Sequence, residues 1–305
     1  MAALAACAFF VRHEATSRAL RAEIPLGQRI GALTLLGVVE WRAGRPDFGG
    51  FSGLELEADG GFIAITDKAH WARARMVLDS MGFLTGVEGL EIGRLDDADG
   101  VDLMDEFTDS EALTREADGA FLIGFEDVGR IGRFETLRSP EETLAALPGL
   151  ADLPANGGLE SVLALPDGRI VALAETVSDE TGAFPGWIMH GDDVSPFTLP
   201  RDSWYMPTDL ALGPGGEWVY LLERRFTLIG GFAMRLRRFE LATLESGSRL
   251  DPDLLAEVVS PPLAENYEGL AATRDADGRT ILYVISDDNF MALQKTLLVQ
   301  FRVEE

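Results

Sequence analysis

The stretch SGLELEADGGFIAITD, residues 52–67, contains an opening polar residue, an apolar run, an Asp-Gly turn and a closing acid. A similar order of features recurs four more times, with an acid in both the opening and the closing place. The opening and closing residues of the five copies are Ser52 and Asp67, Glu111 and Glu126, Glu160 and Glu175, Asp209 and Glu223, and Glu268 and Asp287. They are 15 positions apart in the first three copies, 14 in the fourth and 19 in the fifth. This spacing predicts one structural unit repeated five times.

Each copy has the sequence signature of a β-hairpin. Glycine supplies the positive φ that a tight turn needs, and the apolar residues on either side of Asp59-Gly60 fit two paired strands. The opening residue and the closing acid then lie together at the end of the hairpin opposite the turn. Units that repeat every 49 to 59 residues are typical of the blades of a β-propeller. We therefore predict an all-β fold, a single β-propeller of five or six blades with an acid-lined mouth of the central channel.

The chain divides into a short lead and one domain. We assign residues 1–22 to an N-terminal lead, either the remnant of an export signal or a disordered segment, and residues 23–305 to the propeller. The apolar segment 30–41 precedes the first copy of the repeat, and we expect it to complete the final blade and close the ring. Five hairpins can be counted, while weaker segments leave open a sixth blade.

The composition limits the kinds of partner. With 305 residues and a net charge of −25, the chain is a poor candidate for binding nucleic acid, because phosphate binding needs a basic surface. No segment approaches the roughly 18 apolar residues in a row that a membrane-spanning helix needs. We expect a monomer that takes a small-molecule ester or another anionic ligand.

Cys7 is the only cysteine, which excludes an intramolecular disulfide and a multi-cysteine zinc site. It ends the segment LAAC, residues 4–7, which is similar to the lipobox of bacterial lipoproteins, and residues 2–11 are apolar. These features favour an exported or periplasmic protein, with Cys7 as the candidate site of a lipid anchor. No basic segment precedes the apolar run and Arg12 follows it at once, so a cytoplasmic location stays open.

The repeated acids should meet at the mouth of the channel. Clustered carboxylates repel one another and raise each other's pKa unless a cation neutralises them. Calcium takes six to eight oxygen ligands in flexible geometry and is the cofactor that we expect. The predicted ligands are Asp67, Glu111, Glu126, Glu160, Glu175, Asp209, Glu223, Glu268 and Asp287. The alternative is that these acids cap strand ends, accept hydrogen bonds from backbone amides and pair with Arg224, Arg225 or Arg274.

Six short motifs add a family resemblance. They are FGGFSGL at 48–54, ED at 126–127, GLES at 158–161, LLER at 221–224, YEGL at 267–270 and SDDNF at 286–290. As an ordered set they resemble the phytase-like, esterase-like family of bacterial β-propeller proteins, over about residues 48–303. The resemblance implies a propeller fold, an exported location and calcium-assisted hydrolysis of phosphate or other esters.

Hydrolysis requires a base and groups that hold the substrate. A bound cation polarises a phosphoryl or carbonyl oxygen and activates water, while a spare carboxylate accepts the proton. We expect Glu160 and Glu268 to be the catalytic residues. The residues expected to bind an anionic substrate are Lys68, His70, Arg224 and Arg225, with Lys295 as a further candidate.

Other catalytic chemistries have little support in the sequence. The segment around Ser52 lacks the final glycine of the nucleophile elbow, and neither a phosphate-binding loop nor a dinucleotide fingerprint is present. Two functions of different classes fit the acids. One is an exported, cation-dependent hydrolase of phosphate or carboxylic esters, and the other is a non-catalytic propeller that binds calcium, a small ligand or a protein. Propellers host both.

Overall fold

The structure is a computed structural model, and it describes residues 15–103, 108–126, 129–144, 147–150, 153, 157–178 and 182–304. The regular structure of these residues consists of strands and one short 3-10 helix, Leu241–Thr243. No helix among them is long and apolar enough to cross a membrane. Cys7, on which the predicted lipid anchor depends, lies outside the described residues.

The strands follow the order of the sequence repeat. Three precede the first copy: β1 (Thr16–Ala19), β2 (Arg29–Ile30) and β3 (Leu33–Arg42). Blade 1 contains β4 (Phe51–Leu56), β5 (Gly61–Thr66), β6 (His70–Leu78) and β7 (Leu84–Arg94). Blade 2 contains β8 (Ser110–Arg115), β9 (Phe121–Phe125), β10 (Arg130–Phe134) and β11 (Glu142–Thr143). Blade 3 contains β12 (Leu159–Ala164), β13 (Ile170–Ala174), β14 (Ala183–His190) and β15 (Asp193–Pro200).

The last two blades complete the set. Blade 4 contains β16 (Met206–Leu212), β17 (Trp218–Thr227), β18 (Gly231–Glu240) and β19 (Asp253–Val258). Blade 5 begins with β20 (Asn266–Arg274), β21 (Thr280–Asp287) and β22 (Leu297–Val303). The first strand of each blade contacts the first strands of the two neighbouring blades, so β4, β8, β12, β16 and β20 form a closed inner ring. The all-β propeller is confirmed, and it has five blades.

The ring closes through the N-terminal part of the chain. Strand β3 pairs antiparallel with β22, so that Val39 lies opposite Leu298 and Val38 opposite Val299. This pairing is the predicted closure of the final blade by an N-terminal strand. Strand β1 pairs with the outer edge of β3, although its sequence is polar and it falls within the predicted lead of residues 1–22.

Each inner strand carries a β-bulge near its start. A bulge places one extra residue on one strand and re-aims its side chain. The extra residues are Ser52, Glu111, Glu160, Thr208 and Glu268 in blades 1 to 5. In four blades the bulge residue is the opening residue predicted from the repeat. In blade 4 it is Thr208, so the repeat as read from the sequence, with Asp209 in that place, is shifted by one residue.

Aromatic packing joins the last blade to the first. Trp41 at the end of β3 stacks on Phe51 at the start of β4, with ring centroids 5.4 Å apart, and Phe48 packs edge-on against Trp41 at 4.8 Å. This contact places the connection between the two strands at the channel mouth. Gly50 in this connection has φ +63°, and a Cβ there would lie 2.4 Å from Asp67 Oδ1. Only glycine fits this close approach without displacing the acid.

Candidate functional site

Nine carboxylates surround one mouth of the channel, where the inner strands begin. We call this set, together with the guanidinium among them, the mouth cluster: Asp67, Asp109, Glu111, Glu126, Glu160, Glu175, Glu268, Asp287, Asp288 and Arg224. Its members come from the bulges of the inner strands and from the ends of the second strands, as the hairpin geometry predicts. All five blades contribute through these residues or their immediate neighbours.

The densest part of the mouth cluster lies between blades 2 and 3. Carboxylate oxygens of Glu126, Glu160 and Glu175 lie within 4.8 Å of one another. The same spacing holds for Asp109, Glu111 and Glu126, so Glu126 belongs to both groups. The backbone N–H of Gly158 donates to Glu126 Oε1 at 3.1 Å, which fixes the shared carboxylate.

Burial and repulsion keep these acids partly protonated when no cation is bound. Burial raises the pKa of Glu160 and of Glu111 well above the ordinary value, and neighbouring carboxylates raise it further. Burial likewise raises the pKa of Glu126 to about 7 and that of Glu268 to about 8. A cation among these groups would remove the repulsion and return them to the ionised form.

The other side of the mouth cluster lies between blades 5 and 1. Asn266 donates through Nδ2 to Glu268 Oε1 at 2.9 Å and to Asp287 Oδ2 at 3.1 Å. Burial raises the pKa of Asp67 to about 7 and that of Asp287 to about 6, with repulsion between acids adding to both. Asp288 accepts a hydrogen bond from the backbone N–H of Gly50. This side is therefore held together by amide donors as well as by the fold.

Blade 4 contributes a cation at the position where the other blades contribute an acid. Its register pairs Pro207 with Glu223, so that Arg224 occupies the place of Asp67 in blade 1. Arg224 Nε lies 3.1 Å from Glu268 Oε1, and Nη2 lies 3.6 Å from Glu175 Oε2. Burial alone would lower the pKa of Arg224, but the surrounding carboxylates raise it. One guanidinium cannot neutralise nine carboxylates, so the mouth cluster keeps an excess of acid.

Two of the predicted ligands point away from the mouth cluster. Glu223 pairs with Arg235 on the neighbouring strand β18, because the register turns its side chain to the opposite face from Arg224. Asp209 accepts hydrogen bonds from the backbone N–H groups of Leu270 at 2.7 Å and Leu210 at 2.8 Å. Asp209 thereby links the inner strands of blades 4 and 5. The other seven predicted ligands lie in the mouth cluster.

The predicted substrate-binding residues do not form one group at the mouth. Arg224 lies in the mouth cluster, and Lys68 lies at its edge with Nζ 3.4 Å from the centre of the Phe290 ring. Arg225 lies beside Tyr205 and Glu257, outside the cluster. His70 begins β6, where burial and the nearby Arg94 lower its pKa. Only two of the four therefore adjoin the acids.

Ser52 has a structural role in the ring. Its Oγ donates to the carbonyl of Ser110 at 2.5 Å, which connects blade 1 to blade 2. Thr208 makes the same kind of contact in blade 4, where its Oγ1 donates to the carbonyl of Tyr267 at 3.3 Å. The two hydroxyl-bearing bulges thus bind the next blade, whereas the three glutamate bulges face the mouth.

Three members of the site were missed by the sequence reasoning. They are Asp109, Asp288 and Asn266. Asp288 directly follows the repeat position Asp287, whereas Asp109 and Asn266 lie two residues before the repeat positions Glu111 and Glu268. The available signals were the adjacent acids Asp287 and Asp288 and the closely spaced pair Asp109 and Glu111. The repeat assigns only one acid to each opening or closing position, so the second acid of each pair was passed over. Asn266 has no signal of its own, since its role depends on the pairing of β20 with β21.

Buried oxygens that accept no hydrogen bond make the mouth cluster suitable for a hard cation. Asp67 Oδ1, Glu175 Oε2 and Asn266 Oδ1 are buried, and no described residue hydrogen-bonds to them. An unsatisfied buried polar atom carries a cost of about 1–3 kcal/mol. Carboxylate and amide oxygens are the ligands that calcium prefers. The donor set present therefore fits such an ion.

The opposite end of the channel has a different character. A cavity of about 470 Å³ is lined there by apolar side chains such as Leu54, Leu113 and Leu210, together with Glu55. Burial raises the pKa of Glu55 to about 7. Glu55 is thus a half-buried acid on an inner strand, at the far end of the channel from the mouth cluster.

Comparison with protein families identifies the relationship. The profile described as phytase-like, esterase-like activity of phytase, matches residues 46–290. The chain belongs to the phytase-like family. The match covers the repeat copies and every member of the mouth cluster, so the acids of this phytase-like chain lie within the family region. No curated protein matches the chain.

Solved structures are similar to this phytase-like chain only at low identity. A streptogramin B lyase is 12% identical, with a TM-score of 0.45 and 86% of this chain and 96% of that chain covered. Virginiamycin B lyase from Staphylococcus aureus is 12% identical, with a TM-score of 0.41 and coverage of 88% and 98%. A thermostable family-43 glycoside hydrolase is 9% identical, with a TM-score of 0.47 and coverage of 83% and 89%. Values this low do not bear on the activity of the chain.

The raised pKa values predict how stability depends on pH. Asp67, Glu126, Glu268 and Asp287 have folded-state pKa values of about 7, 7, 8 and 6, above the ordinary values of 3.8 for Asp and 4.5 for Glu. The folded state therefore binds their protons more tightly, and this stability is lost as the pH rises from about 4 to about 8. In chelator, the melting temperature should fall between pH 5 and pH 8.

Calcium should raise the melting temperature that is lowered at pH 8 in chelator. An ion that binds only the folded protein stabilises it by about 2.7 kcal/mol at 100 times its dissociation constant, which corresponds to a few degrees. Differential scanning calorimetry at pH 8 would measure the shift, with sodium chloride at matched ionic strength as the control for screening. The shift should persist in Glu55→Gln and shrink in the double variant Glu126→Gln, Glu160→Gln. An equal shift in that double variant would contradict the site.

Proposed function

We propose that the chain is an exported hydrolase that uses a cation in the mouth cluster to cleave a phosphate or carboxylic ester. The observation that carries the proposal is the packing of Glu126, Glu160 and Glu175 oxygens within 4.8 Å of one another at the mouth. Glu160 is buried and the other two are half-buried, and carboxylates at this spacing are costly without a cation. Membership of the phytase-like family supports hydrolysis as the use of that cation.

The residues divide into ligands and a base. Glu126, Glu160 and Glu175 would hold the ion, with Asp109 and Glu111 completing an oxygen-rich shell. When bound, a calcium ion polarises the ester oxygen and lowers the pKa of an attacking water molecule. The protein's own groups position the water and accept its proton.

Glu268 is the base in this proposal. Its Oε1 accepts from Asn266 and faces Arg224, which leaves Oε2 as the oxygen that accepts a proton from water. A carboxylate whose pKa lies near the working pH is suited to this transfer. The charge of Arg224 favours the ionised form, so that Glu268 is ready to accept the proton.

An exported location is part of the proposal. Calcium sites of extracellular modules work at dissociation constants of about 10⁻⁴–10⁻³ M. A mouth cluster with one guanidinium and nine carboxylates would fill at such concentrations. The chain would then be active only after export.

Turnover on a panel of esters tests the proposal. Phosphomonoesters, phytate, aryl esters and lactones would be incubated with chelated protein and with calcium-loaded protein. Calcium-dependent release of product from at least one ester is expected. Calcium binding with no turnover on any of them would instead favour the non-catalytic propeller, in which the same acids bind the ion structurally or present it to a partner.

A further inference from the structure

A second, cationic cavity lies beside the mouth cluster. Its volume is about 650 Å³, and it is bounded by the end of β3, the connection from β3 to β4 and the connection from β21 to β22. The cations in its wall are Arg42, Arg45, Lys68 and Lys295. Lys68 and Lys295 are the only lysines of the chain. In a protein with a net charge of −25, four cations around one cavity form a local reversal of charge.

The two lysines differ from the arginines in their partners, and Lys68 Nζ lies over the Phe290 ring, 3.4 Å from its centre. Arg42 pairs with Glu40 and Arg45 pairs with Asp47. In the part of the chain that the structure describes, neither Lys68 nor Lys295 has a carboxylate oxygen within 4.0 Å. Longer-range attraction reaches Lys68 from Asp67, and Lys295 from Glu40 and Glu265.

The acid in the cavity wall is already engaged. Asp288 Oδ1 accepts from the backbone N–H groups of Gly50 at 3.1 Å and Phe290 at 3.0 Å, and Oδ2 accepts from Thr296 Oγ1 at 3.2 Å. These donors stabilise the carboxylate of Asp288 and fix its orientation. Both oxygens of Asp288 therefore have donors other than the two lysines.

Part of the wall is aromatic and apolar, and Gln294 and Thr296 add polar groups. Trp41, Phe48, Phe290 and Met291 line the cavity beside the lysines. Met291 is 54% exposed, so an apolar surface is open to solvent at the rim. A ligand that satisfies both kinds of wall carries a negative charge and an aromatic body.

The cavity shares a wall with the mouth cluster. Lys68 directly follows Asp67, and Asp288 directly follows Asp287. We infer that this cavity binds an aromatic organic anion, with its phosphate or carboxylate on Lys68 and Lys295 and its ring against Phe290 and Met291. That such an anion is part of the substrate rests on the proposed function. The hydrolase would then prefer aryl phosphates, or esters whose aromatic part carries a free carboxylate, to small neutral esters.

Calorimetric titration with 1-naphthyl phosphate tests the inference without turnover. Chelated protein would be titrated with this probe, with the neutral 1-naphthol and with inorganic phosphate. We expect 1-naphthyl phosphate to bind more tightly than either, because only it uses both walls. In the double variant Lys68→Gln, Lys295→Gln its dissociation constant should rise by about tenfold or more, the size of a lost charge-assisted contact.

Arg279→Gln is the matched control. Arg279 is an exposed cation in the β20–β21 turn of blade 5, at the end opposite the cavity, where it pairs with Asp275 and Asp277. Arg279→Gln removes one positive charge where the lysine variant removes two, and it should bind the probe as the wild type does. No binding to the wild type, equal binding of 1-naphthol, or an unchanged dissociation constant in the lysine variant would each overturn the inference. If binding depends on the lysines but no ester is turned over, the anion site is supported and only the proposed hydrolase activity is contradicted.

Discussion

Glu268→Gln should lower turnover by the calcium-loaded protein on the order of 10²-fold or more, because glutamine cannot accept the proton of the attacking water. The substitution keeps the size of the side chain and its contact with Asn266. Calcium affinity should change little, since the densest ligand group lies between blades 2 and 3. The rise of kcat/KM with pH that reports the ionisation of Glu268 should disappear in the variant. Steady-state rates between pH 5 and pH 9 measure both effects.

Glu160→Gln should lower turnover by a similar factor, but because it weakens calcium binding. Glu160 is a cation ligand here, and a neutral amide is a poorer ligand for calcium than a carboxylate. Higher calcium should therefore recover part of the activity of Glu160→Gln but none of that lost in Glu268→Gln.

Glu55→Gln provides the control for both variants. It makes the same change at a half-buried glutamate on an inner strand, at the far end of the channel. Its turnover should match the wild type. Wild-type rates in both Glu160→Gln and Glu268→Gln would contradict the proposed chemistry.

Arg224→Met should lower the free energy of unfolding by about 3–5 kcal/mol at pH 8 in chelator. Removing one partner of a buried ion pair leaves an uncompensated charge, and losses of this size are typical. Arg224 and Glu268 keep only 21% and 10% of their side-chain surface exposed, so solvent screens the pair weakly. Chemical denaturation would measure the loss.

The loss in Arg224→Met should depend on pH and on calcium. Without the guanidinium, the folded-state pKa of Glu268 rises further above its unfolded value, so the carboxyl is protonated and uncharged at low pH. The destabilisation should therefore be small at pH 5 and large at pH 8. Calcium should offset it, because the ion supplies the missing positive charge.

Arg225→Met is the neighbouring control. Its guanidinium lies 3.9 Å from Glu257, and the two side chains are 33% and 44% exposed. Exposed pairs contribute about 0–1 kcal/mol, so a small loss without calcium dependence is expected. Equal losses in the two variants would mean that Arg224 has no special role among the acids.

Much of the fold was predictable because the turns repeat. Gly60, Gly119, Gly168, Gly216 and Gly278 all have positive φ in the turns between first and second strands. Asp-Gly or Gly-Gly dipeptides at such places, flanked by apolar runs, identify hairpins from local sequence alone. The strand 33–42 could be assigned to the last blade because a propeller needs its ring closed.

The details of the site depend on register, which the sequence spacing does not determine. In blade 4, Thr208 and Asp209 are adjacent, and so are Glu223 and Arg224. A shift of one residue turns a side chain to the other face of the sheet. The pattern favours the acids in both pairs, but the pairing of β16 with β17 places Thr208 in the bulge and Arg224 among the acids. The sequence analysis named Arg224 as a partner of the acids, but its position in the repeat, in the place of a closing acid, follows only from this register.

The most direct measurement of the central claim is a calcium titration in which bound calcium and ester turnover are recorded on the same chelated sample. If the ion held by Glu126, Glu160 and Glu175 is the one used in hydrolysis, both signals should rise with the same midpoint. Both midpoints should move together to higher calcium in Glu160→Gln. A turnover rate that reaches its maximum before calcium binds would contradict the account. So would a rate that stays at zero on every ester after the site is filled.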